Sequence, residues 1–91
     1  MTITTTQFVY LVTSGNIEEH GVHSAHLSLA VALKEAESRA RKERGGYRRR
    51  DPDPGCEYEV ALWAHAEGAI LGYVSVERFE LRDIGEWQAT A

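Results

Sequence analysis

The sequence predicts an α+β fold: one small two-layer domain in which a single long helix packs on a sheet of three to four mainly antiparallel strands, in the order β(β)αββ. Three observations predict it. Phe8-Val9-Tyr10-Leu11-Val12 is an unbroken β-branched and aromatic run, residues 25–44 are rich in helix formers, and residues 56–81 alternate as two strands around a turn. At 91 residues, 43% hydrophobic and 26% charged, the chain supports one core and is too short for two. The domain is expected over 7–88, with 1–6 and 89–91 as flexible termini.

Each element follows from local chemistry. The first strand is ended by Thr13-Ser14-Gly15-Asn16, residues that favour turns over ladders. Residues Ile17 to Val22 are short and polar, and Gly21 permits an irregular backbone, so a brief edge strand beside the first is expected there. Ser24 is the expected helix cap, accepting from a free backbone amide, and Leu27 stands where a glutamate would complete a capping box. Through Ala25 to Arg44, Leu29, Leu33, Ala36 and Ala40 recur at spacings of four and three as an apolar stripe. Lys42 and Arg44 complement the helix dipole at its end, and Gly45-Gly46 supplies a left-handed stop.

Residues 47–55, with three arginines, two prolines and Gly55, read as an exposed loop. Cys56 to His65 alternates as a half-buried strand, with Tyr58, Val60, Leu62 and Ala64 on one side and Glu57, Glu59, Ala61 and Trp63 on the other. After the turn at Ala66-Glu67-Gly68, Ala69 to Leu81 forms the last strand. Val74 and Val76 differ in parity from Phe79 and Leu81, so a bulge near Glu77-Arg78 is expected to bring all four to the core. Asp83 to Ala91 carries Ile84 and Trp87 without a period. One helix leaves the second sheet face uncovered, and Ala61, Trp63 and Tyr73 are its candidate contacts in a homodimer.

The net charge of −4 conceals an asymmetry. Eight of the ten basic residues lie between positions 34 and 50 against three glutamates, a net of +5, which leaves −9 on the rest of the chain. An acidic body of that size repels polyanions and argues against nonspecific nucleic-acid binding by the whole domain. No apolar run is long enough for a membrane span, no basic-apolar leader opens the chain, and the lone Cys56 forms no internal disulfide. A cytoplasmic protein that does not engage membranes is expected.

Catalytic motifs are missing. There is no G-x-S-x-G elbow, no cysteine-protease signature and no phosphate-cradling glycine loop, and Glu57 with Glu59 reads as a solvated strand face. Cys56 and His65 differ in parity and point apart. His20, His23 and His26 beside Glu18 and Glu19 have metal-ligand chemistry without a recognised ligand spacing, so the plainer reading is polar loop histidines, and no cofactor is expected. The strongest feature is the basic group Arg41, Arg44, Arg48, Arg49 and Arg50 around Tyr47. It suits acidic side chains of a protein partner, or phosphates and a stacked base across residues 39–50, or no more than a solvated helix end.

Val9-Tyr10-Leu11-Val12-Thr13-Ser14-Gly15, then Gly21-Val22-His23-Ser24, and finally Val76-Glu77-Arg78-Phe79-Glu80-Leu81 resemble a family of small uncharacterised proteins of bacteriophages and their bacterial hosts. Its members open on a strand ending in Thr-Ser-Gly and continue through an acidic-aromatic turn into Gly-Val-Phe-Ser. Here His23 replaces the phenylalanine and the turn is reduced to Asn16-Ile17-Glu18-Glu19. The resemblance implies a phage or prophage accessory protein in the host cytoplasm, without a transferable activity. Joined to the charge asymmetry, it points to a non-catalytic module that binds a host or phage protein, as in host takeover or anti-defence. The alternatives are a nucleic-acid accessory protein using residues 39–50 and a metal-binding regulator using His20, His23 and His26.

Overall fold

The computed structural model of the chain describes residues 7–81. The expected flexible ends and the tail from Asp83, with Ile84 and Trp87, lie outside the described residues. One helix packs on a five-stranded antiparallel sheet, an α+β fold with one strand more than the upper expectation. The elements are β1 (Phe8–Gly15), β2 (His20–His26), α1 (Leu29–Lys42), β3 (Arg48–Arg50), β4 (Glu59–Ala64) and β5 (Tyr73–Glu80). They are arranged β2-β1-β5-β4-β3, so β2 and β3 are the two edges.

The turn after β1 is built by Asn16, whose Oδ1 accepts from the amides of Glu18 at 2.8 Å and Glu19 at 3.0 Å. Its own amide donates to the Glu19 carbonyl at 2.7 Å. β2 therefore starts later than the expected Ile17–Val22 and runs longer, to His26. Ladder pairing with β1, from Gly15↔His20 to Tyr10↔His26, extends the strand through Ser24, which cannot then cap the helix. Ser28 caps it instead, accepting from the Val31 amide at 3.3 Å.

α1 is accordingly shorter than residues 25–44. Ala32, Ala36 and Ala40 are its buried residues, with Leu33 packed at the margin and Leu29 37% exposed, so the apolar stripe is rotated toward the small side chains. Alanines at spacings of four let the helix sit close on the sheet. Gly45 (φ 83°) and Gly46 (φ 67°) provide the left-handed stop, with the Tyr47 amide returning to the Ala40 carbonyl at 3.0 Å. Under α1 lie Val12, Ala61, Trp63, Val74 and Val76, flanked by Tyr10, Tyr47 and Val60.

Arg48–Arg50 is a strand and not a loop, pairing Arg48↔Ala64, Arg49↔Trp63 and Arg50↔Leu62. Its composition hid it, because the exposed side chains carry charge while the backbone completes a ladder. Pro52 and Pro54 keep it short. β4 and β5 are trimmed at their ends relative to expectation by turns at Cys56–Glu59 and Gly68–Gly72.

The expected bulge in β5 is not found. β5 pairs with β1 residue for residue, and the irregularities fall on its neighbours, at Val60 in β4 and at His23 in β2. Phe79 therefore stays off the core parity, 37% exposed and stacked on Tyr58 with centroids 5.4 Å apart. Ala61 and Trp63 face the helix, 0% and 5% exposed, so they do not form the expected homodimer surface; of that trio only Tyr73 takes the opposite parity. Among the described residues no helix is long and apolar enough to cross a membrane.

Candidate functional site

The basic group divides once it is folded. On α1, Arg39 pairs with Glu35 at 3.3 Å and Arg41 with Glu37 at 2.9 Å, each one turn apart, so half of the helical charge is neutralised locally. Arg44, Arg48, Arg49 and Arg50 have no ion pair among the described residues. Strand geometry then sends alternate arginines to opposite faces. Arg49 lies on the helix side, its guanidinium 4.6 Å from the Trp63 ring centroid. Arg50 takes the other face and donates through Nη2 to the carbonyls of Ala66 at 3.2 Å and His65 at 3.4 Å. All three strand arginines remain exposed.

Tyr47 is an anchor more than a contact residue. It packs against the core and meets His65 edge-on with centroids 6.4 Å apart. Gly72 makes room for its hydroxyl, since a side chain there would run into the phenol. Burial raises the Tyr47 pKa, and the charge of Glu43 and a hydrogen bond to it act in the same direction. The backbone between α1 and β3 is thereby fixed, which sets the arginines relative to the sheet.

A second feature escaped the sequence reading, a cleft of about 540 Å³ at the end of β1 and the start of β2. Its lining includes Ser14, His20, His23, Tyr47 and Tyr73 together with Glu18, Glu19 and Glu43. Ser14 Oγ is hydrogen-bonded to His23 Nε2, and His20 Nδ1 to the Tyr73 hydroxyl, with the latter rings stacked at 5.8 Å. The sequence signals of the cleft are His20 and His23 beside Glu18 and Glu19, and the blocks Thr13–Gly15 and Gly21–Ser24, which the β1–β2 ladder sets side by side.

The three histidines are not brought together around one point. His20 meets Tyr73, His23 meets Ser14, and His26 meets Ser24 Oγ at 2.8 Å. Among the described residues no group of three metal-ligating side chains is assembled. Cys56 is a partly buried free thiol. Comparison of the chain with protein-family models, with curated proteins and with solved structures finds no match.

Proposed function

We propose that the protein is a non-catalytic binding module that engages a protein partner through its basic edge, Arg44 and Arg48–Arg50, with Tyr47 as the anchor behind it. One observation carries this reading. Arg49 and Arg50 are held in place by Trp63 and by the hairpin carbonyls, yet no carboxylate among the described residues neutralises them. Cations ordered before binding lose less side-chain freedom when a carboxylate arrives. The acidic balance of the rest of the chain, net −9 outside residues 34–50, favours a compact partner that touches the edge alone, because it repels a long polyanion.

The resemblance of the β1, β2 and β5 segments to small phage-associated proteins supports an accessory role in a bacterial host, with the host or phage protein as partner and the cytoplasm as the place of action. Affinity capture from host lysate tests the reading with wild type and with an Arg48→Glu, Arg49→Glu, Arg50→Glu variant. Loss of the captured protein in the variant is the expected result. An unchanged capture removes the basic edge from the function. In parallel, labelled DNA and RNA are titrated at about 50 mM salt, where phosphate contacts are strongest. Tight, steeply salt-dependent binding there would favour a nucleic-acid accessory protein instead.

A further inference from the structure

Resting on the reading of the basic edge as the binding surface, we infer that the partner supplies an extended acidic segment that adds to β3 as a sixth strand, with carboxylates at alternate positions. β3 ends the sheet, and among the described residues no strand pairs with its outer side. An unpaired strand edge offers backbone donors and acceptors that an incoming strand satisfies. That edge therefore supplies affinity through the main chain, and its side chains select the guest.

The selection follows from the two-residue period. Arg48 and Arg50 share one face, and Arg49 lies on the other over Trp63. A guest strand in register puts its alternate residues opposite Arg48 and Arg50, where opposite charges stabilise and like charges destabilise. The residue between them falls opposite Arg49, whose guanidinium is already engaged over the Trp63 ring of the next strand, so this position needs no carboxylate and is expected to be apolar. The guest pattern is thus carboxylate, apolar, carboxylate. The same rule disfavours a second copy of β3, which would set arginine against arginine. A phosphate backbone has no row of amide donors and carbonyl acceptors with which to complete the ladder, so a nucleic acid gains only the charge contribution at this edge.

The test uses the full chain and three short labelled probes. One peptide alternates glutamate and valine, one has the same composition with the glutamates contiguous, and one is an oligothymidylate. The alternating peptide is expected to bind about tenfold more tightly than the contiguous one, with slowed amide hydrogen exchange at β3. Arg48→Glu with Arg50→Glu is expected to abolish that preference; circular dichroism checks its fold, and slowed exchange in the wild type is a readout independent of the variant. Equal binding of both peptides without slowed exchange overturns strand addition while leaving the basic edge as a charge-driven surface. Tighter binding of the oligothymidylate than of either peptide overturns the protein segment as ligand. Absence of peptide binding at about 50 mM salt also overturns it, and lysate capture lost in the triple-glutamate variant would show that the broader reading survives.

Discussion

The Arg49 guanidinium rests 4.6 Å from the centroid of Trp63, the largest side chain of the core, and roofs the outer end of the hydrophobic layer where β3 meets β4. One exposed cation thus joins the proposed binding edge to the packing beneath it. Arg49→Ala is expected to cost about 0.5–1 kcal/mol, the usual worth of an exposed cation–π contact. Arg48→Ala, which lacks that contact, should stay within about 0.5 kcal/mol of wild type. Urea denaturation of both variants compares them. Equal stabilities would mean that Arg49 does not brace Trp63.

Thr13 and Ser75 form a hydrogen bond of 2.6 Å between β1 and β5, with exposures of 0% and 3%. Thr13→Val keeps the shape and removes the hydroxyl, leaving the Ser75 hydroxyl buried without its partner, at a cost of about 1–3 kcal/mol. Removing both hydroxyls, as in Thr13→Val with Ser75→Ala, should recover most of that loss, because no donor is then stranded. A double-mutant cycle on unfolding free energies reads the coupling, and simple additivity would contradict it.

Much of this architecture was legible because it is written locally. β1 follows from a continuous apolar run, α1 from a helical period and the β4–β5 hairpin from alternation on either side of a turn, and the Gly45-Gly46 stop from backbone freedom. What escaped was decided by pairing across the sheet. Arg48–Arg50 reads as loop by composition, yet β4 supplies its ladder; Ser24 has capping chemistry, yet β1 holds it in a strand. Parity within β5 called for a bulge that the neighbouring strands provide instead, at Val60 and His23. Alternation along β4 defines two sides without saying which of them the helix covers, so the period alone does not assign Trp63 to the covered face. The cleft was invisible for the same reason, since Ser14, Tyr47 and Tyr73 are neighbours only in space.

Two glycines of the cleft make contrasting predictions. A Cβ at Gly15 would meet the Glu19 carbonyl, the His20 backbone and the Tyr73 hydroxyl, whereas one at Gly21 has nothing within 4 Å. Gly15→Ala must push β1 away from the turn that starts β2, at about 1–3 kcal/mol, typical of overpacking. Gly21→Ala meets no such obstacle and should be neutral or stabilising by up to about 1 kcal/mol, since it reduces the freedom of the unfolded chain. Thermal melts of the two variants distinguish them. Equal effects would place the close approach elsewhere.

Glu59 and Glu77 stand directly opposite each other on β4 and β5, two carboxylates at one register position. The Glu77 pKa is raised above the usual carboxylate value, chiefly by burial; His20 opposes the rise and the charge of Glu59 adds to it. A raised folded-state pKa means that the folded protein holds this proton more readily than the unfolded chain. The associated stability is present below the unfolded carboxylate range and is lost as pH rises through the raised value. Glu77→Gln, neutral at every pH, is therefore expected to be more stable than wild type at pH 7, with the difference closing as the solution is acidified. Partial exposure screens the effect to no more than about 0.5 kcal/mol. Glu59→Gln should bring the Glu77 titration down by removing the like charge, which a carbon-detected NMR titration of the side chain follows directly. A Glu77→Gln protein less stable than wild type at neutral pH would show that attraction to His20 outweighs both burial and Glu59.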